Sequence, residues 1–394
     1  MSVKNVMVCA TMIVGGSLGA QAPATSGTFV SLLGVDTVAI ERYTRTGSKL
    51  EGDILTRYPA VQLVHYVADL GTNRFNGISV ATRRVGSDPT TPPLFSMVTI
   101  FADSTATIEV QRNGRPDSAN SATRPFKGRT VPAIPGAPAA LGLYEQILAY
   151  NPPSGRDSTV LALLGVGPMG NASMSLFRRA RDTVAFVSSF NPGWVEVAAI
   201  DAAGRITLSD ATATTVKTVT RRAAGIDFDA RAKAWAAAEA ASGRAGRMSP
   251  PDTVHAVIGS ANIHIAYSRP FKRGRDVWGT VIEWNKPWRT GANAATGFTT
   301  TADLVFGTMV VPAGRYTLYS LPTPTGAKLI INTQTGQWGT IYDESKDLAR
   351  LDMTQTMLPK PVEEFTIAIV PQGTGGTLKL SWDNREYSIP FRLK

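Results

Sequence analysis

The sequence predicts an all-β protein in two parts: an N-terminal antiparallel curved sheet or half-barrel with one helix, then, after a helical linker, a C-terminal β-sandwich. Three observations predict this. Apolar and polar residues alternate at period two in one short run after another from residue 36 onward, with Gly, Asn, Asp and Pro between the runs. Only two segments have helical character. The chain of 394 residues exceeds one average domain, and its 43% apolar and 18% charged residues supply a core and exclude global disorder.

Met1 to Lys4 is a short basic opening, residues 5–19 are small and apolar, and Leu18-Gly-Ala-Gln-Ala22 offers cleavage sites. This is the pattern of a secretory signal peptide over residues 1–20. Cleavage is expected after Ala20, because a cut after Ala22 would leave Pro23 at the new terminus. The apolar run is short of the ~20 residues a membrane span needs, and no other stretch is long enough. Export to the periplasm or the cell exterior is therefore the expectation. The single cysteine, Cys9, falls inside the removed segment. The mature chain is then expected to lack disulfides, cysteine zinc sites and a thiol nucleophile. Gly15-Gly-Ser-Leu-Gly19 has the spacing of a nucleophile elbow but lies in the same segment with no strand before it, and is set aside.

In the first part, residues 28–224, strands are expected at 37–43, 49–55, 62–67, 75–82, 95–101 and 105–111. A Pro- and Gly-rich loop over 113–138 leads to a helix at 139–150, stopped by Pro152-Pro153. Strands follow at 159–164, 173–178, 183–189, 194–200, 205–208 and 214–220. Tight antiparallel connections and a lone helix suggest a sheet curved around that helix, with one face buried and one solvated. Its interior holds either an apolar ligand or its own side chains. Within the linker, 225–248, the Ala-rich stretch 227–241 gives the strongest helix signal, with Asp227 at its start and Gly243 after its end. Strands then resume at 254–258, 262–267, 277–284, 304–306, 315–321, 328–332, 364–370, 377–382 and 387–393, a spacing that indicates a sandwich over 249–394. Five of the seven tryptophans lie there.

That second part carries four ordered motifs. Tyr267-Ser-Arg-Pro270 is followed by Gly274-Arg275 and Trp278-Gly279; then come Trp288-Arg-Thr-Gly-Ala-Asn293, Pro312-Ala-Gly-Arg-Tyr-Thr-Leu318, and Trp338-Gly339 with Tyr342-Asp343. Together they resemble the bacterial family catalogued as domain of unknown function 2911, across roughly residues 249–394. The resemblance implies an exported protein and a fold expectation, and it implies no reaction. In that family an acidic residue often follows the Trp-Arg-Thr-Gly-Ala-Asn run, where this chain has Ala294, so a role of that acid in relatives is not carried over.

Arg269, Lys272, Arg273 and Arg275 place four cations within seven residues of a loop, and Arg289 and Asn293 come from the next connection. Guanidinium forks pair bidentately with carboxylate, sulfate or phosphate, and Trp278 or Trp288 nearby could stack on a sugar. Arg269, Arg275, Trp278, Arg289 and Asn293 are therefore the candidate ligand-binding residues. The same arginines could instead brace loops against the Asp343 and Asp347 region, and the sequence leaves both readings open. Asp343 and Asp347 are also the candidate acid or base of a hydrolase. Glu363 and Glu364 are adjacent, so on a strand they face opposite ways and cannot form an acid–base dyad. His255 and His264, with Asp252, make only a weak metal set, and His65 reads as an ordinary strand histidine, so no metal is expected. Gly165-Val-Gly-Pro-Met-Gly170 matches a dinucleotide fingerprint in letters, but a strand pattern follows it where a helix should open. No cofactor is expected.

The formal charge is +10, with 28 Arg against 12 Lys spread over both parts. No aromatic-basic nucleic-acid motif accompanies it, and an exported protein is unsuited to nucleic-acid partners. An anionic glycan or lipid headgroup is the partner the charge favours. The leading expectation is an exported protein that binds a glycan, lipid or protein partner without catalysis. A hydrolase acting on envelope material and a structural or assembly module are the alternatives.

Overall fold

The computed structural model describes residues 25–57, 60–134, 140–152, 158–164, 172–189, 195–214, 216–242 and 248–394. The expected signal segment, with Cys9 and the glycine-rich run at 15–19, and the glycine-rich run at 165–170 lie outside the described residues.

Among the described residues, the strands from Thr25 to Ala223 form one sixteen-stranded sheet that is not closed into a barrel. Neighbours are antiparallel, except that Thr130–Pro132 runs parallel beside Thr159–Leu164 at one edge. The first strand, Thr25–Leu33, sits mid-sheet between Asp36–Thr46 and Val219–Ala223. This strand lies ahead of the point where the alternation becomes clear in the sequence.

Helix α1, Leu141–Tyr150, lies against one face of this sheet. Leu141, Leu143, Ile147 and Leu148 join a single core with residues from both wings, including Tyr66, Phe75, Phe186 and Ile206. A sheet can touch one helix from both wings only by curving around it. Side chains from both wings pack around Leu141 and Ile147, and a cavity of about 310 Å³ lies along the helix beside Tyr43, Leu50, Glu145 and Leu148. Ala140 offers no side-chain cap. The buried carboxylate of Glu41 accepts instead from the Leu141 and Gly142 amides, at 2.6 and 3.2 Å, and from the Tyr66 hydroxyl. Gly142 is required there, because a Cβ would stand 2.5 Å from the Tyr43 ring.

Successive residues of a strand face opposite ways, so Ile40 turns from the α1 side to the outer face. There it packs with Leu55 and Val61 against Phe228 and Trp235 of helix α2, Phe228–Ser242. Asp227 opens this helix by accepting from the Ala230 amide at 2.9 Å. The outer face, expected to be solvated throughout, is covered where α2 lies on it.

The C-terminal residues form a nine-stranded sheet folded into two layers. Asp347–Gln372 pairs first with Gly326–Asn332 and then with Gly375–Leu393, passing from one layer to the other. Pro251–Ile258 packs across from it, and both layers supply one core around Trp382, Phe365 and Tyr387. The expected strand at 277–284 is instead a compact loop with one isolated bridge between Trp278 and Ile282. Gly279 turns it with φ +86°, and a Cβ there would lie 2.3 Å from Trp284 Nε1. The alternation in this stretch reflects tryptophans folded onto one another, not a ladder.

Candidate functional site

The cation-rich loop after Ala261–Ser268 is mostly committed to holding the fold. Arg269 donates to the Phe365 carbonyl at 3.1 Å, to Thr366 Oγ1 at 2.8 Å and to Asp252 at 3.2 Å, with Glu364 at 3.4 Å. Lys272 pairs with Asp383. Arg275 is held through its Nε by the Lys272 carbonyl at 2.9 Å and through a terminal nitrogen by the Phe271 carbonyl. Arg273 reaches the other sheet. Its guanidinium pairs with Asp36, and its carbonyl accepts from the Val35 amide at 3.0 Å. The tip between the first two strands thus docks on this loop, and Gly34 (φ +63°) permits it. A Cβ on Gly34 would fall 2.0 Å from the Arg273 oxygen.

Trp278 is likewise structural. Its Nε1 donates to the Trp382 carbonyl at 3.2 Å, and its ring stacks on Trp284 at 6.3 Å and meets Trp288 and Tyr387 edge-on. Neither Arg269 nor Trp278 lines the cavity that Arg289 and Asn293 share. Each is engaged in part by the second layer of the sandwich, Arg269 by Glu364, Phe365 and Thr366 and Trp278 by the Trp382 carbonyl.

Arg289 has a different environment. Loop 288–293 is fixed at both ends: Trp288 and Ser320 exchange backbone hydrogen bonds at 2.7 and 2.8 Å, and the Thr290 carbonyl accepts from Thr296 Oγ1 at 2.8 Å. The stem of Arg289 crosses the face of Gly339, where a Cβ would stand 2.1 Å from Arg289 Cδ and 2.6 Å from the Asn293 carbonyl. That carbonyl accepts from the Gly339 amide at 3.1 Å. Among the described residues Arg289 has no carboxylate within salt-bridge distance, and its buried Nε has no hydrogen-bond partner. Burial pulls its pKa below the ordinary value, with the Tyr319 phenol opposing.

Arg289 and Asn293 line a cavity of about 790 Å³ between the two sheets. The larger sheet contributes Leu33, Val38, Thr214, Lys217 and Thr218, and the sandwich contributes Arg275, Lys286, Trp288, Trp338 and Tyr342 among others. Trp338 is 48% exposed, whereas Trp235 and Trp382 are buried. The titratable lining is four cations (Lys217, Arg275, Lys286, Arg289), Tyr342 and one carboxylate, Glu283. Glu283 is already paired with Lys286, whose hydrogen bond holds it below the usual carboxylate range against the opposing effect of burial. Lys217, at φ +56°, has its pKa lowered first by burial; Glu283 opposes this, and Arg275, Arg289 and Lys286 add to it.

The two aspartates proposed as acid or base have structural partners. Asp343 caps a short 3₁₀ turn, accepting from the Ser345 amide and hydroxyl, which lowers its pKa. Asp347 accepts from Asn332 at 2.8 Å, from the Tyr342 hydroxyl at 2.6 Å and from Arg350 at 2.8 Å. Neither lines the cavity, and Arg269 and Arg289 do not pair with either. Glu363 and Glu364 face apart, one accepting from the Arg273 amide and the other beside Arg269. His255 and His264 lie directly opposite on paired strands, ring centroids 4.5 Å apart, and no third His, Cys, Asp or Glu joins them among the described residues.

Of the five ligand-binding candidates, the structure brings Arg275, Arg289 and Asn293 to one cavity and adds Lys217, Lys286 and Trp338. Trp338-Gly339 was visible as a motif. Nothing around Lys217, in a Thr-rich run of the other sheet, marked it.

The C-terminal part matches the family described as protein of unknown function (DUF2911) over residues 249–391, a little over a third of the chain. No curated protein matches the chain.

Proposed function

We propose that this chain is an exported protein that binds an acidic glycan, without catalysis, in the cleft between its two sheets. The N-terminal pattern of a basic opening, an apolar run and small residues before Ala20 supports export. The observation that carries the binding reading is Arg289: a guanidinium in a cavity with an orphaned Nε and no carboxylate partner among the described residues. A desolvated cation of this kind is costly unless something answers its charge, and a ligand carboxylate or sulfate does so with paired hydrogen bonds. Trp338 gives an exposed aromatic group for a sugar ring, and Asn293 supplies a polar group for hydroxyls. The cavity is of the size that encloses a small ligand. A hydrolase would want a carboxylate free to hold or release a proton there, and Glu283 is tied to Lys286.

Titration calorimetry with trigalacturonate, alongside a flotation assay with phosphatidylglycerol vesicles, tests this. Trigalacturonate should bind the native protein and lose at least tenfold in affinity with Arg289→Met, whose fold is checked by circular dichroism. Binding to the vesicles alone, or unchanged binding of trigalacturonate by the variant, overturns the reading.

A further inference from the structure

We infer that the cleft takes a ligand with two or more anionic groups, and that this ligand bridges the two sheets. The inference rests on the anion-binding reading above and deepens it. The cavity's cations do not come from one side. Lys217 belongs to the loop before Val219–Ala223 of the larger sheet, whereas Arg275, Lys286 and Arg289 belong to the sandwich. Lys217 lies close enough to all three for their charges to lower its pKa. Four positive charges face one carboxylate, Glu283, which Lys286 occupies. One anionic group on a ligand would leave unanswered charge on both walls.

The walls are already held at a set separation. The tip at Val35 and Asp36 docks on Arg273, two residues before Arg275, so the larger sheet and the cation loop meet beside the cavity. Lys217 and Arg289 therefore oppose each other with like charge across a docked interface. Like charges placed so are a standing repulsion, weakened but not removed by solvent. An anion between them turns that repulsion into two attractions. A chain of linked anionic units gains further, because the second contact forms at high effective concentration once the first is made. Repeating acids on one glycan strand have this property, and a single sugar acid does not.

The test uses the full-length mature chain with galacturonate and trigalacturonate, compared per carboxylate in calorimetry, and with hydrogen exchange read over residues 33–36, 213–218 and 271–275. Trigalacturonate is expected to bind at least tenfold more tightly per carboxylate and to slow exchange in all three segments together. Lys217→Asn removes the charge while tolerating the positive φ. It should reduce trigalacturonate affinity at least fivefold, a larger factor than it takes from galacturonate affinity. Equal affinity per carboxylate, or an unaltered trimer affinity in Lys217→Asn, overturns the bridging inference while leaving anion binding standing. No binding of either acid overturns both.

Discussion

Replacing Arg289 by methionine should make the unliganded protein more stable while removing its affinity for anions. Methionine keeps an unbranched stem across Gly339 and loses the guanidinium. A buried donor left without a partner costs about 1–3 kcal/mol, more when charged, and Arg289 Nε is such a donor. Like charge on Lys217 adds repulsion, which screening holds to about 0.5 kcal/mol. Against these stands the solvation that the more exposed part of the guanidinium keeps and methionine lacks, so the net gain expected is about 1 kcal/mol. Urea unfolding followed by tryptophan fluorescence reads the sandwich selectively, because five of the seven tryptophans lie in it. With a slope of about 2–3 kcal/mol/M for a unit of this size, the midpoint should rise by about 0.3–0.5 M. A saturating anion should reverse the ranking, since it stabilises only the protein that binds it. A midpoint lowered by more than about 0.5 M would show that Arg289 braces the fold, and the binding reading would lose its footing.

Gly339→Ala puts a methyl 2.1 Å from Arg289 Cδ, and should weaken trigalacturonate binding at least tenfold with a stability loss of about 1–3 kcal/mol; unchanged binding in calorimetry would mean that the stem does not need this passage. Gly34→Ala combines φ +63° with a 2.0 Å approach to the Arg273 oxygen, so hydrogen exchange at the Val35 amide should accelerate at least tenfold, and an unchanged rate would refute the docking described. Burial pushes the Glu41 carboxyl from 4.5 up to about 7, against hydrogen bonds from Tyr66, Gly142 and Leu141, and pushes Glu196 up to about 6 against a hydrogen bond from Ser209. The folded state then holds more protons than the unfolded one between those limits. Stability is present below about pH 4.5 and falls as the pH rises toward 7, by up to about 3 kcal/mol from Glu41 alone. Urea midpoints measured across that window should decline, and a flat or rising profile in it contradicts the account. His65 works in the same direction at higher pH: Asp53 raises its pKa against the effect of burial, so its contribution is lost above about 6.5. Half exposed, it should add only about 0.5 kcal/mol, seen as a flatter profile in His65→Gln.

Period-two alternation made both β units legible, because most strands of the larger sheet from residue 36 onward present one face to the core around α1; the short strands Arg115–Pro116, Ala122–Pro125 and Thr130–Pro132 lie in the stretch expected as a loop. It missed Thr25–Leu33, whose Ser and Gly at the start blur the pattern, and residues 347–363 of the long strand, which carry Pro359 and Pro361 and lie largely exposed. It misread 277–284, where Trp278 and Trp284 pack on one another around Gly279. The candidate site was half legible. A motif shows that arginines cluster, but whether each is answered depends on residues a hundred positions away. Arg269 meets Phe365 and Thr366, and nothing near Arg289 in the chain says that it meets no acid.

The division of labour among the arginines follows from where carboxylates arrive. The loop 269–275 is crossed by the strand carrying Glu363 and Glu364 and by the tip carrying Asp36, so Arg269 and Arg273 are neutralised and fix the distance between the two sheets, while Arg275 meets only carbonyls. Fixing that distance is also what makes a cleft useful. A ligand that had to bring the walls together would spend binding energy on ordering them, whereas walls already docked leave that energy for contacts. The braced arginines and the unbraced one therefore belong to a single device. Arg273 holds the larger sheet against the sandwich, Arg275 runs from that contact into the cavity wall, and Arg289 waits across from Lys217 on a stem seated over Gly339. Loss of the Asp36–Arg273 pair should then weaken anion binding without touching any residue of the cavity, because it frees the walls whose separation the charges depend on. Asp36→Asn, assayed by trigalacturonate calorimetry at two salt concentrations, separates the cases. A fall in affinity that persists at high salt marks lost preorganisation, and an affinity equal to that of the native protein would mean that the hairpin contact does not set the cleft.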